Sequence, residues 1–227
     1  MISYAWGCLE WASLDVCGAA MEVLSAMIHV RSEPVHMSHE HTLKRMVLDQ
    51  SARREALLSL LTHHLKCGTG ALLLSWVVEA FCFVICHPHA ETTPAEIFDH
   101  FLSHVAGLGR VFLRLFSHPC LRVAKAAGLL MTALVEEGDT DVIDSLRHDA
   151  LREGALLEQL NAALFLTGTD ARTAFHRSLS RRLVGLWAAS HQPTTELLFR
   201  LLPAPLLRTL ASEAPPPNGS DDGADMI

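Results

Sequence analysis

The stretch VEEGDTDVIDSLRHDALREGALLEQLNAALF, residues 135–165, decides the fold. Its apolar residues recur at three- and four-residue spacing, and glycine interrupts them twice. Val142, Ile143, Leu146 and Ala150 share one face of a helix; Leu156, Leu157, Leu160, Ala163 and Leu164 share one face of the next. Just upstream, behind His118 and Pro119, Leu121, Ala124, Ala127, Met131 and Leu134 form a third stripe. Gly138 and Gly154 stand just past the helices that carry Leu121–Leu134 and Val142–Ala150, where a left-handed residue turns the chain. A helix with one apolar stripe must bury it, so the rhythm predicts three stacked helices.

Outward from this core the same period predicts helices at 4–30, 42–48, 51–66, 70–86, 94–106, 109–117, 120–136, 140–152, 155–167, 178–190, 194–202 and 204–211. In "TPAE", Thr93 fits an N-cap, Pro94 the first helical position and Glu96 the third, a capping box. Half of the 227 residues are hydrophobic and only one is Tyr, while Leu and Ala abound, which favours helices over strands. A helix after a proline, a short helix ending in Glu-Gly and then "GALLEQL" follow the armadillo/HEAT order. The fold class read from this is all-α: an armadillo/HEAT-like helical solenoid with a disordered C-terminal tail at 213–227, where Pro, Gly and Asp leave little to bury. Such a fold presents surface to partner proteins rather than a catalytic pocket.

A net charge of −7 without a Lys/Arg run argues against nucleic acid, whose binding comes from neutralising phosphates. Six Cys (Cys8, Cys17, Cys67, Cys82, Cys86, Cys120) lack paired short spacings and suit a reducing, cytoplasmic setting. The first Lys or Arg is Arg31, so no secretory signal is expected. The apolar run at 70–86 is short for a bilayer and carries Glu79 near its middle, so it reads as a buried core helix and no transmembrane segment is expected.

Fourteen His raise the question of metal. "HMSHEH" offers His36, His39, Glu40 and His41, and "CFVICHPH" offers Cys82, Cys86, His87 and His89. Neither has a zinc framework, and solvated histidines with core thiols explain both. His100 and His104, next to Asp99, share a helix face at zinc spacing, but Phe101 stands where a zincin needs its Glu. No phosphate loop, dinucleotide turn or serine elbow occurs. Catalytic, cofactor-binding and metal-ligating residues are therefore all expected to be none, the protein is expected not to be an enzyme, and cofactors none. Trp187 joins Leu179, Leu183 and Leu186 on a core stripe, and Arg177, Arg181 and Arg182 fall away from it as a solvated face or a patch for an acidic partner. Ala133 occupies the place of the asparagine that clamps peptides in importin-like grooves, and Asn161 on the next helix does not restore that ladder.

The strings "SHPCLRVAKAAGLLMTALVEEGD", "ALREGALLEQLNAALF" and "LSRRLVGLWAASHQPTTELLFRLLPAPLLRTL", within 108–210, resemble the receptor-mediated endocytosis 8 family of large endosomal J-domain (DnaJ subfamily C) proteins, the gravitropism-defective family of plants. Trp187 after "LVGL" and the spacing of Pro193 and Pro203 make the likeness specific. It divides the chain into 1–105, a helical repeat region without a family, 106–212, an armadillo-like region of this family, and the tail 213–227. The resemblance implies a non-catalytic scaffold that binds endosomal trafficking proteins in receptor-mediated endocytosis, cytoplasmic and peripheral on early endosomes. The family's J domain works through His-Pro-Asp, whereas the pairs here run into His89 and Cys120, so the J domain is absent and direct Hsc70 stimulation is not expected. The alternatives are a metal-binding or metal-dependent enzyme using the His-rich segments, or a non-functional gene fragment.

Overall fold

A computed structural model of the chain describes residues 2–9, 13–28, 37–67, 70–189 and 191–212. The regular structure among these residues is helical, with no strand. They form two compact units that divide between Gly138 and Asp139. The division anticipated at 105/106 falls inside the first unit, and the tail at 213–227 lies outside the described residues.

The first unit holds α1 (Ile2–Cys8), α2 (Leu14–Ile28), α3 (Met37–Leu48), α4 (Ser51–Cys67), α5 (Ala71–Ile85), α6 (Ala95–Gly107), the single turn α7 (Arg110–Leu113) and α8 (Leu121–Glu137). Short 3-10 turns at His89–Thr92 and Arg114–Ser117 lead into α6 and α8. Helix α2 packs on α5 and α5 on α8, each three helices further along, with α4 and α6 also against α5. A ladder of every third helix is the armadillo plan of three helices per repeat. Twelve of the 15 residues of α5 are buried, which explains its apolar sequence as a protein core. Among the described residues no helix is long and apolar enough to cross a membrane.

The second unit holds α9 (Thr140–Arg152), α10 (Ala155–Phe165), α11 (Ala171–Ala188), α12 (Gln192–Leu201) and α13 (Ala204–Ser212). Its centre is α10 against α11, where Leu156, Leu160 and Ala163 meet a helix whose buried residues are Leu179, Leu183, Val184 and Trp187. Ser180 donates to Gln159 across this contact at 2.8 Å, so both buried polar groups are satisfied. Asp139 and Asp170 cap α9 and α11 by accepting from backbone N–H groups of Asp141 and Thr173.

Several local expectations are corrected. The segment read as one helix over 4–30 is two, α1 and α2, and α11 begins at Ala171 rather than 178. The capping box does not form: α6 starts at Ala95 behind Pro94, and the Thr93 hydroxyl donates to Val84 O instead. Gly154 is left-handed at φ 82°, but Gly138 is extended at φ −81° and hands the chain straight to the Asp139 cap. Val142 and Leu157 leave their stripes, 40% and 48% exposed, because each helix buries a narrower face than its sequence offers. Within the first unit α8 packs on α5, and within the second α10 packs on α11.

Candidate functional site

The middle of α5 carries a carboxylate that the core would reject alone. Glu79, 3% exposed, receives both forks of the Arg122 guanidinium from α8, at 2.8 Å from Nε and 2.6 Å from Nη2. The same guanidinium lies 4.3 Å from the centre of the Trp76 ring, one turn before Glu79. The hydrogen bond to Glu79 raises the Arg122 pKa, and the charges of Glu79, Cys120 and Glu22 of α2 add to it. Charge, ring and carboxylate thus tie α8 to α5 at the half-exposed edge of the ladder. Leu72, 64% exposed, continues the Trp76 face one turn earlier.

Among the candidate metal residues, Glu40, Cys82, Cys86 and His89 are drawn into packing. His36 lies outside the described residues, while His39 and His41 are exposed. Glu40 turns inward and pairs with Lys44 at 2.9 Å, one turn on along α3. Lys44, fully buried, also donates to His89 O, to Thr92 at 2.7 Å and to Thr93 at 3.2 Å, and Thr92 donates to Glu40 at 2.8 Å. Burial lowers the Lys44 pKa, partly offset by Glu40. Burial alone would raise the Glu40 carboxyl, but hydrogen bonds from Lys44 and Thr92, with the charges of Lys44 and His89, hold it below its ordinary value. This polar knot pins the turn after α5 to α3. His89 stacks edge-on against Phe83, and exposed His87 pairs with Glu91 at 2.7 Å. Cys82 of α5 and Cys86 just past its end are buried, and Cys82 donates to Ala126 O. Among the described residues no group of three or more His, Cys, Asp or Glu is placed to hold a metal ion.

His100 and His104 both reach α4, to Glu55 at 3.1 Å and to the Thr62 hydroxyl at 3.0 Å, so their shared face is spent on helix packing. Trp187 is buried at 1% exposure. The arginines of α11 are not one solvated face: Arg177 donates to Leu166 O and Arg181 to Ala163 O, closing the carbonyl end of α10, while Arg182 is exposed. Ala133 is buried and Asn161 is exposed.

A cluster the sequence reading did not single out lies at the end of α11. Arg147 of α9, 5% exposed, donates to Leu186 O at 3.2 Å and Ala189 O at 2.8 Å, and pairs with Asp144 at 3.0 Å. Beside it the His148 and His191 rings meet edge-on, 5.0 Å apart. The only signal was an arginine on the apolar face of α9, which its stripe of Ile143, Leu146 and Ala150 already implies.

The fold and these clusters define an all-α helical-repeat protein in which Glu79, Lys44 and Arg147 join helices and turns. No protein-family model matches the chain. It is 37% identical over 158 residues, 69% of its length, to DnaJ homolog subfamily C GRV2 of Arabidopsis thaliana. The chain belongs to the receptor-mediated endocytosis 8, or gravitropism-defective, family by this likeness. The match covers 6% of the relative. It is longer than everything from 106 to the end of this chain, so the likeness reaches into the region left without a family.

Proposed function

We propose that the chain is a non-catalytic armadillo-like scaffold that binds other proteins in endosomal trafficking and receptor-mediated endocytosis, in the cytoplasm and peripherally on early endosomes. The likeness to DnaJ homolog subfamily C GRV2 carries this reading. It is supported by the way Glu79, Glu40, Lys44 and Arg147 are used up in joining helices, leaving surface rather than a reactive pocket as the means of action. Direct stimulation of Hsc70 is not part of the proposal, because His87-Pro88 and His118-Pro119 run into His89 and Cys120 rather than Asp. Nucleic acid is not among the partners either, given the charge of −7.

The test is localisation of a tagged chain together with receptor uptake after its depletion. Co-localisation with early endosomes and slowed uptake are expected; a chain found wholly elsewhere, with uptake unchanged, overturns the process. Addition of the purified chain to Hsc70 should leave ATP turnover unchanged. A several-fold rise would refute the non-stimulating part.

A further inference from the structure

The start of α12 is held by groups that tolerate one protonation state. His191 is 3% exposed, its Nδ1 lies 2.7 Å from the Thr194 hydroxyl, and its Nε2 is buried without a hydrogen-bond partner among the described residues. The neutral ring fits this site with its proton on Nδ1, directed at Thr194, and a bare lone pair on Nε2. A second proton would sit on Nε2, buried and with no acceptor. It would also stand beside Arg147, whose guanidinium is fixed by Leu186 O and Ala189 O, and beside the ring of His148.

The groups acting on His191 come chiefly from α9: Asp144 is the one anion, and His148 and Arg147 are cationic or able to become so. From α11 come carbonyl oxygens already taken by Arg147, and from α12 the Thr194 hydroxyl. Asp144 is bound to Arg147 at 3.0 Å, so a protonated His191 would share that anion with the guanidinium.

We propose that the His191, His148 and Arg147 cluster is a proton-operated latch: it holds the start of α12 against α9 and α11 while the His191 imidazole is neutral, and frees it when that ring takes up a proton. The direction agrees with burial, which lowers the His191 pKa from 6.5, with Asp144 raising it and His148 and Arg147 lowering it further. A group bound more weakly by protons in the folded state gives stability that is complete above its ordinary value and lost as pH falls below it. The latch therefore opens on acidification below 6.5.

Hydrogen exchange of the full chain, corrected for intrinsic rates, reads this out in peptides spanning 184–201 as the pH is lowered. Opening of that segment should increase with acidification by up to about tenfold per pH unit, the limit for one proton. Peptides of α10 should change less. His191→Gln should flatten the response, and His148→Gln, by removing a neighbour that lowers the His191 pKa, should make the response smaller. Wild-type exchange that does not respond to pH, or an undiminished response in His191→Gln, overturns the latch. Should His191→Gln fail to fold, the His191 ring is titrated by NMR in the wild type: protonation below the ordinary imidazole range supports the latch, and protonation at or above it overturns it.

Discussion

Replacing Arg122 by Met would remove the partner of both Glu79 oxygens while keeping an unbranched apolar stem. Breaking a fully buried ion pair costs about 3–5 kcal/mol, because the surviving charge is left without compensation. Here the Glu79 side chain is 4% exposed but that of Arg122 is 37% exposed, so water reaches one end of the vacated site and the expected loss is about 2–3 kcal/mol. Roughly 0.5–1 kcal/mol of this comes from the Trp76 face that loses its cation. Urea unfolding followed by circular dichroism measures the loss, and the double change Glu79→Met, Arg122→Met completes the cycle. With both charges gone the core meets apolar surface, so the double variant should return to within about 1 kcal/mol of wild type. A loss below about 0.5 kcal/mol for Arg122→Met, or a double variant as unstable as the sum of its singles, would refute the pairing as a tie across the ladder.

Leu160→Ala should cost about 2–5 kcal/mol by leaving a cavity against α11, whereas Leu157→Ala on the same helix should change stability by less than about 0.5 kcal/mol; urea midpoints compare them directly. Gly154→Ala meets no atom within 4 Å but must hold φ at +82°, so a loss of about 1–2 kcal/mol in the same assay is expected from backbone strain alone. Lys44→Met should destabilise the first unit by leaving the Glu40 carboxylate buried. In wild type the lowered Glu40 pKa gives stability that is complete above its ordinary value of 4.5 and lost as pH falls below it, and thermal unfolding across pH should show that dependence weakened in Lys44→Met. Elemental analysis of protein purified without a histidine tag should find metal well below one ion per chain; a stoichiometric ion would return the His-rich segments to consideration.

What the sequence made legible was whatever depends on near neighbours. The helices at 140–152, 204–211 and 51–66 are close to those observed because period and punctuation lie within each segment. The Thr93 cap failed for the opposite reason: its hydroxyl is claimed by Val84 O and Lys44, and the lysine is 49 residues away. Lys44 itself looks like a surface cation on a polar helix until the turn at His89–Thr92 folds over it. Glu79 was legible as a reason not to place α5 in a membrane, but its partner on α8 was not, since no spacing rule links residues 43 apart. Arg177 and Arg181 look like a charged face by period, yet their carbonyl partners are set by how α11 crosses the end of α10. The His191 cluster depends on α9, α11 and α12 converging, and a histidine before a proline-led helix carries no mark of that in one dimension.

The central place of α5 has a consequence for the birth of the chain. Its neighbours α2 and α4 are made before it, but α8, which covers another side and brings Arg122 to Glu79, is complete only at Glu137. At ordinary speeds of translation that interval is on the order of several seconds. During it a nearly all-apolar helix with an unneutralised carboxylate has half its shelter, so ribosome-bound chains halted between Ile85 and Glu137 should be the ones most prone to aggregate and to recruit holding chaperones.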